Sequence, residues 1–242
     1  MSMFMKHLNG RRIIERKREC APVNLRTSWY KLSIIYKFLI IFWGVFFLCA
    51  DFGILNGRFL EYKIGYFTSQ SNIWCILYFT VEIIVLFTAG EKGLEKTWCP
   101  IIKWVITMCI TLTFLVAHFI LKTGFAFDSW YHIAGLGLHY LVPILTIGDW
   151  LIFDTKGSIK KYYPFIWIIV PYIYFAIAIL AANYENGLVG GTASKYPYDF
   201  IDIEKYGMKH VLMTLWEITV IFVILGYLVY GVDSFMFRRK GE

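Results

Sequence analysis

Two apolar stretches of the chain begin with side chains able to act as a nucleophile and a base. One stretch opens with the heptapeptide Tyr66-Phe67-Thr68-Ser69-Gln70-Ser71-Asn72. The other opens with Gly135-Leu136-Gly137-Leu138-His139-Tyr140 and has Pro143 one turn later. A threonine hydroxyl attacks an acyl carbonyl when a neighbouring imidazole accepts its proton. Thr68 and His139 are therefore candidate catalytic residues, provided that the fold brings them together.

The composition predicts the kind of scaffold that has to position them. The chain has 242 residues, of which 58% are hydrophobic and 17% charged, and its mean hydropathy is +0.58. Soluble domains carry about a quarter charged residues. The apolar residues are gathered into runs near the roughly 20 residues that cross a bilayer as a helix, without the alternation of barrel strands. We predict an all-α, polytopic membrane protein.

Six apolar runs predict six transmembrane helices in one bundle. We place them at residues 33–55, 66–89, 100–122, 135–154, 165–183 and 209–232. This divides the chain into a basic N-terminal tail (1–32), a six-helix transmembrane domain (33–233) and a basic C-terminal tail (234–242). If the N-terminus is inside, 18 of the 24 Lys and Arg residues lie in the inner segments 1–37, 90–103, 156–161 and 238–240. The positive-inside bias therefore predicts a multi-pass protein of the cell membrane with both termini cytoplasmic.

This direction places several polar side chains in the outer third of the membrane. Spans two and four begin there, and spans one and three end there. The set comprises Asp51, Thr68, Ser69, Gln70, Asn72, His118 and His139. Such groups cost a few kcal/mol in a span unless they are paired or hydrated. We therefore expect them to line a pocket that opens toward the outer leaflet.

Each candidate also has a structural interpretation. Hydroxyl and amide side chains at the start of span two are able to cap backbone N–H groups or to join neighbouring helices. His139 is able to serve as an interhelical hydrogen-bonding residue. Pro143 lacks the N–H that would bond to the carbonyl of His139, so we expect the helix to open there. Gly135 and Gly137 predict a close approach by a neighbouring helix.

Two further residues of the outer set have alternatives that the sequence leaves open. Asp51 either orients an imidazole as in a catalytic triad or lies in the hydrated interface. His118 either binds a head group or orients a partner, or it is an interfacial histidine near Lys122. Asp149 is about 15 Å below His139 by helical rise, so we interpret it as structural.

The inner two thirds of the spans are mostly aliphatic and aromatic. Glu82, Asp149 and Glu217 are the exceptions, and the sequence indicates no basic residue at the depth of the two glutamates. The long outer loop at 184–208 contains Tyr196-Pro197-Tyr198. We interpret this loop either as a lid over the pocket or as an anchor in the membrane interface.

The sequence lacks the motifs of several other function classes. It has no HExxH, paired CxxC, P-loop or dinucleotide-binding glycine motif, so we expect no metal and no cofactor. The five cysteines form no disulfide framework. The net charge of +7 lies at the flanks of the spans rather than along one soluble face. That distribution favours contact with anionic lipids over nucleic acid.

Particular residues of the chain resemble those of a known family. The chain is similar to a bacterial family of six-pass proteins named "Pr-six-Pr". The similar residues are Tyr66-Phe67-Thr68-Ser69-Gln70-Ser71-Asn72 of span two, His139 with Pro143 and Asp149-Trp150, and Tyr196-Pro197-Tyr198 with Tyr206-Gly207. The resemblance runs from about residue 35 to about residue 230. More distantly, the threonine of span two and the histidine of span four resemble the androgen-induced membrane hydrolases of animals. Those intramembrane threonine hydrolases split fatty acid esters of hydroxy fatty acids, and the resemblance implies Thr68 as nucleophile and His139 as base.

These observations lead to two hypotheses of different classes. The first is an integral membrane lipid-ester hydrolase or acyl-transfer enzyme with membrane lipids as partners and a fatty-acyl ester as substrate. Ser69, Gln70, Asn72, Asp51 and His118 would then bind the substrate, with Ser69, Asn72 or a backbone N–H stabilising the oxyanion. The second is a non-enzymatic transporter or binding protein for a small molecule or lipid, which requires a polar route to the cytoplasm. The sequence sets no oligomeric state.

Overall fold

The computed structural model describes residues 23–184, 187–190 and 194–241, and these residues form helices joined by turns, with no strand among them. The α-helices are α1 (Val23–Asp51), α2 (Phe67–Ala89), α3 (Pro100–Leu115), α4 (Trp130–Leu136), α5 (Val142–Phe153), α6 (Tyr163–Ile166), α7 (Ile169–Ala182), α8 (Ile203–Tyr206) and α9 (Met208–Gly241). Short 3-10 turns lie at Ile54–Asn56, Glu61–Gly65, Gly90–Leu94 and Asp199–Ile201. The predicted all-helical class is thus confirmed for the described residues.

Six helical segments are long and apolar enough to cross a membrane. We call them spans one to six: Arg26–Asp51, Phe67–Leu94, Pro100–Ile120, Trp130–Phe153, Tyr163–Ala182 and Met208–Arg239. The predicted number of spans is confirmed. Large apolar side chains such as Phe42, Leu180 and Trp216, at 58%, 64% and 65% exposure, cover the sides of these spans. So much exposed apolar surface is expected on a bundle that faces lipid.

Spans one and four begin at least five residues earlier than predicted, and span six ends at Arg239 rather than at residue 232. Helix α1 begins at Val23, ten residues before the predicted start of span one. Span four begins at Trp130 rather than at residue 135. Ser129 explains the earlier start, because its hydroxyl oxygen accepts a hydrogen bond of 3.3 Å from the backbone N–H of His132 and caps the helix.

Span four contains a π-helical turn over Gly137–Leu141, between α4 and α5. The N–H of Val142 donates to the carbonyl of Gly137, five residues earlier. Pro143 has no N–H to offer to the carbonyl of His139, so the α-helical pattern is interrupted at this point. The predicted opening of the helix therefore takes the form of a π turn, a feature frequent at functional sites.

Spans one, two and four pack closely at the level of this turn. A Cβ atom placed on Gly137 would lie 2.1 Å from the ring of Phe47 in span one, whereas one placed on Gly135 would meet nothing within 4 Å. The predicted close approach of a neighbouring helix is therefore found at Gly137 and not at Gly135. Phe47 belongs to a buried core with Ile110, Leu138 and Val142.

We expect Gly137→Ala to lower the free energy of unfolding by about 1–3 kcal/mol, because the added methyl overlaps the Phe47 ring in a packed core. Gly135→Ala is the matched control, and its helical position with open space predicts an unchanged or slightly higher stability. Unfolding in mixed micelles of dodecyl maltoside and SDS measures both. Equal stability of the two variants would contradict the packing described here.

At the opposite end of the bundle from Thr68, five charged side chains are buried together. This charge cluster consists of Lys37, Glu82, Lys103, Asp149 and Asp154, each at most 7% exposed. The ammonium of Lys37 bonds to Asp149 at 2.7 Å, and that of Lys103 bonds to Asp154 at 2.6 Å. Lys103 also bonds to Asp149, and to both oxygens of Glu82 at 3.2 Å. The cluster joins spans one, two, three and four.

The charge cluster corrects one expectation from the sequence. Glu82 was expected to lack a basic residue at its depth, yet Lys37 and Lys103 both lie beside it. Both lysines count among the basic residues of the inner segments 1–37 and 90–103, at the inner ends of predicted spans one and three, and the structure buries them beside Glu82. The other glutamate, Glu217, is exposed on the side of span six.

Candidate functional site

Thr68 and His139 meet at one end of the bundle. The Oγ1 atom of Thr68 lies 3.3 Å from the Nε2 atom of His139, within hydrogen-bonding distance. Thr68 is the second residue of α2, where the preceding Tyr66 has extended backbone geometry. His139 is at the centre of the π turn of span four. Two helices thus bring a hydroxyl and an imidazole nitrogen into the relation that a nucleophile and its base require.

A polar chamber of about 440 Å³ lies over this pair. Residues from three spans and from three connecting segments line it, including Asp51, Lys63, Tyr66, Ser69, Tyr131 and Tyr140 beside Thr68 and His139. Several hydroxyl groups and an ion pair therefore face the same space as the hydroxyl of Thr68. The chamber is large enough to hold a ligand of more than a few atoms.

A second, apolar cavity of about 80 Å³ reaches Thr68 from the other side. Its walls are apolar side chains of spans two, three, five and six, such as Phe67, Leu112, Phe175 and Leu215. A smaller cavity of about 40 Å³ shares Leu112, Phe175 and Leu215 with it and extends to Phe222. Thr68 therefore lies at the boundary between a polar chamber and an apolar path that runs along the spans.

Asn72 fixes the start of α2 against span four. Its Nδ2 atom donates to the carbonyl of Thr68 at 2.8 Å and to the carbonyl of Leu138 at 3.3 Å. Ser71 joins the same helix to span three through its contact of 2.8 Å with the hydroxyl of Thr113. Asn72 thus positions Thr68 relative to the residue that precedes His139, and it does not line the polar chamber.

Among the residues that the structure describes, no carboxylate is hydrogen-bonded to the imidazole of His139. Its Nδ1 atom is buried and makes no hydrogen bond within the described part of the chain. Asp51 lines the chamber, but its carboxylate bonds to the ammonium of Lys63 at 2.9 Å. Burial alone would lower the pKa of Lys63, but the charge of Asp51, its hydrogen bond to Lys63 and the nearby tyrosines together outweigh burial and raise that pKa. The triad-like interpretation of Asp51 is therefore not supported, and the arrangement is a dyad.

The other predicted binding residues separate into two groups. Ser69 is buried and lines the polar chamber, and its hydroxyl has no partner within the described residues. Gln70 points away, because its Nε2 atom donates to the carbonyl of Ile64 at 3.2 Å. His118 is exposed and lies against the ring of Phe114, outside the lining of either cavity. Depth along a helix was predictable for both residues, whereas rotation about its axis was not.

Sequence reasoning missed Tyr198 as a member of the site. The hydroxyl oxygen of Tyr198 accepts a hydrogen bond of 3.3 Å from the backbone N–H of Thr68 and lies 3.5 Å from Thr68 Oγ1. Its segment, between spans five and six, had been interpreted as a lid or an interfacial anchor. Residues 185–186 and 191–193 of that loop lie outside the described part, but residues 197–201 line the two cavities that meet at Thr68. The tyrosine-rich sequence Tyr196-Pro197-Tyr198 was the feature that could have indicated a contribution of this loop to the site.

In the described ranges, no group of three His, Cys, Asp or Glu side chains has an arrangement that would hold a metal ion. Comparisons of the chain with protein-family profiles, with curated proteins and with solved structures find no match. The interpretation of the site consequently depends on its own geometry.

Proposed function

We propose that this chain is an integral membrane lipid-ester hydrolase, or a related acyl-transfer enzyme, in which Thr68 is the nucleophile and His139 the base. The observation that carries the proposal is the 3.3 Å contact between Thr68 Oγ1 and His139 Nε2 at the boundary of the two cavities. The resemblance of the span-two threonine and span-four histidine to the androgen-induced membrane hydrolases points to the same chemistry.

The reaction would proceed in two balanced steps. Thr68 Oγ1 attacks the ester carbonyl carbon while its proton passes to His139 Nε2, and the carbonyl electron pair moves onto oxygen. Collapse of this intermediate breaks the bond to the alcohol, which leaves with the proton from His139. In the second step His139 takes a proton from water, and the hydroxide attacks the acyl-threonine. The bond between the acyl carbon and Thr68 Oγ1 then breaks, His139 returns the proton to Oγ1, and the fatty acid is released. A second alcohol in place of water would give acyl transfer.

The two cavities suggest how a lipid ester would lie. An acyl chain has an apolar surface that fits the cavity between spans three, five and six. The polar part of the ester, with its leaving alcohol, would occupy the chamber that contains Lys63 and Asp51. The ester carbonyl would then be at Thr68, which lines both spaces.

We further propose that the protein lies in the cell membrane with both termini cytoplasmic and the polar chamber toward the outer leaflet. The excess of Lys and Arg in the segments at the opposite end of the spans from Thr68 supports this orientation. Membrane lipids would be both its surroundings and the source of its substrate.

A transporter is the less favoured alternative. A layer of fully buried side chains, formed by Cys75, Phe79, Ile110 and Val142, lies between Thr68 and the charge cluster at the other end of the bundle. All four are at most 1% exposed. A polar solute moving from the chamber to the other face would have to cross this dense apolar layer, so the structure favours chemistry within the chamber.

The test of the proposed function is labelling of the purified full chain with a fluorophosphonate probe. Labelling is expected for the wild type and for Thr80→Ala, a control threonine in the same span whose exposed side chain bonds only within its own helix. Thr68→Ala and His139→Ala are expected to lose it, because they remove the nucleophile or its base. Labelling that survives in both variants, or that is absent from the wild type, would rule the mechanism out.

A further inference from the structure

We propose that Tyr198 is the oxyanion donor of this site: its hydroxyl gives a hydrogen bond to the negative oxygen that forms when Thr68 attacks an ester. The inference rests on the proposed function and adds to it a catalytic group from outside the six spans. Sequence reasoning had assigned this role to Ser69, Asn72 or a backbone N–H near the π turn.

The hydrogen bonds around Thr68 leave the proton of Tyr198 available. The backbone N–H of Thr68 donates to the Tyr198 oxygen at 3.3 Å and so occupies an acceptor position of that oxygen. The phenolic O–H is then left to donate to another oxygen, and the hydroxyls of Thr68 and Tyr174 are its neighbours in the absence of an ester. It lies 3.5 Å from Thr68 Oγ1, and the developing oxyanion is attached to the carbon that Oγ1 attacks. A donor in this position meets the negative charge where it forms.

Two neighbouring donors are already engaged. Both contacts of Asn72 Nδ2 are with backbone carbonyls, those of Thr68 and Leu138. The ammonium of Lys63 is held by Asp51, and although it has further N–H groups, it makes no hydrogen bond to Thr68 within the described residues. Ser69 has an uncommitted hydroxyl, but as the next residue of α2 it is turned about 100° around the helix axis from Thr68. Tyr198 is therefore the donor that combines a free proton with contact to Thr68.

The surrounding rings hold Tyr198 in place. Phe200 stacks on it with centroids 5.5 Å apart, and Tyr66 meets it edge-on at 5.8 Å. Tyr174 lies behind at 6.4 Å, and its hydroxyl donates to the carbonyl of Gly65 at 2.9 Å. A catalytic donor fixed by packing needs little reorganisation during the reaction. Burial raises the pKa of Tyr198, so its hydroxyl keeps its proton at neutral pH.

Tyr198 also stands between the two cavities. It lines both the polar chamber and the apolar cavity, together with Thr68 and Leu121. An ester with its chain on one side and its alcohol on the other would therefore present its carbonyl beside this hydroxyl. The segment 194–201 would contribute a reacting group in addition to covering the site.

The experiment is hydrolysis of p-nitrophenyl octanoate by the purified full chain in detergent micelles. Tyr198→Phe removes only the hydroxyl and keeps the ring, so we expect kcat to fall by about 10²–10³-fold, the effect of losing one oxyanion donor. KM should change by no more than about twofold, because the donor acts on the transition state. Tyr196→Phe is the matched control, since Tyr196 is a buried tyrosine of the same segment outside both cavities. It should hydrolyse at the wild-type rate.

The outcomes separate this inference from the proposed function. If Thr68→Ala is inactive but Tyr198→Phe keeps the wild-type kcat, the assignment of Tyr198 is overturned and the proposed function stands. A fall in kcat for Ser69→Ala without one for Tyr198→Phe would transfer the role to Ser69. Hydrolysis that is absent in the wild type, or that persists in Thr68→Ala, would overturn both proposals.

Discussion

His139→Ala is expected to lower the rate of p-nitrophenyl octanoate hydrolysis by about 10²–10⁴-fold, the usual contribution of a general base. The Nε2 atom of the imidazole is 3.3 Å from Thr68 Oγ1, which carries the proton that has to move, and the other ring nitrogen has no hydrogen bond within the described residues. No second imidazole or carboxylate contacts the Thr68 hydroxyl in the described part of the chain. The loss should therefore appear in kcat.

His210→Ala provides the comparison for this measurement. His210 is exposed at the start of span six, stacked on Tyr206, and lines neither cavity. It should keep the wild-type rate, and both variants should have wild-type unfolding curves. A His139→Ala protein that is folded and hydrolyses at the wild-type rate would show that another group accepts the proton, and it would remove the dyad from the mechanism.

Lys103→Met is expected to lower the free energy of unfolding by about 3–5 kcal/mol, the range for removing one partner of a buried ion pair. The ammonium of Lys103 contacts all three carboxylates of the charge cluster. Without it, Glu82, Asp149 and Asp154 would face Lys37 alone. Methionine has a similar length and an apolar end, so the effect would come from charge rather than from an empty cavity.

Lys96→Met serves as the matched substitution, because Lys96 is exposed in the segment that leads into span three. Its effect should be within about 0.5 kcal/mol, as for most surface changes. Unfolding in mixed micelles of dodecyl maltoside and SDS compares the two. Similar stabilities of Lys103→Met and Lys96→Met would mean that the cluster does not stabilise the bundle.

The spans could be predicted from the sequence because long apolar runs leave the chain few alternatives in a membrane. Their ends were less predictable. The N-cap at Ser129 extends span four, and its effect depends on one side chain rather than on average hydropathy. Pro143 predicts that the helix opens locally, because its nitrogen carries no hydrogen to donate. The sequence does not specify that the freed carbonyls are rearranged into a π turn.

The pairing of Thr68 with His139 was predictable in depth, because each lies within about five residues of the outer end of a predicted span. The structure keeps the pairing, although span four begins at Trp130 and His139 therefore lies nine residues inside it. The rotation of each helix about its axis was not predictable. The sequence therefore did not indicate that Gln70 and His118 point away from the chamber while Ser69 lines it. Tyr198 was missed because it comes from a connecting segment whose position depends on tertiary packing.

The charge cluster shows a limit of counting charges. Lys37 and Lys103 enter the positive-inside count as residues of the inner segments 1–37 and 90–103, although lysines near the end of a span need not extend toward the headgroups. Here each is surrounded by carboxylates from other spans, so its ammonium is satisfied inside the bundle. Pairs so distant in the sequence are visible only once the helices are assembled.

The π turn of span four sets the angular phase between the two halves of that helix. Each residue of an α-helix advances by about 100° around the axis, so the extra residue of a π turn shifts the phase of everything beyond it. His139 faces the chamber from within the turn, and Asp149 faces the charge cluster ten residues later. Deleting one residue between Gly137 and Leu141 would bring the two halves into a single phase, and one span could no longer present both side chains inward.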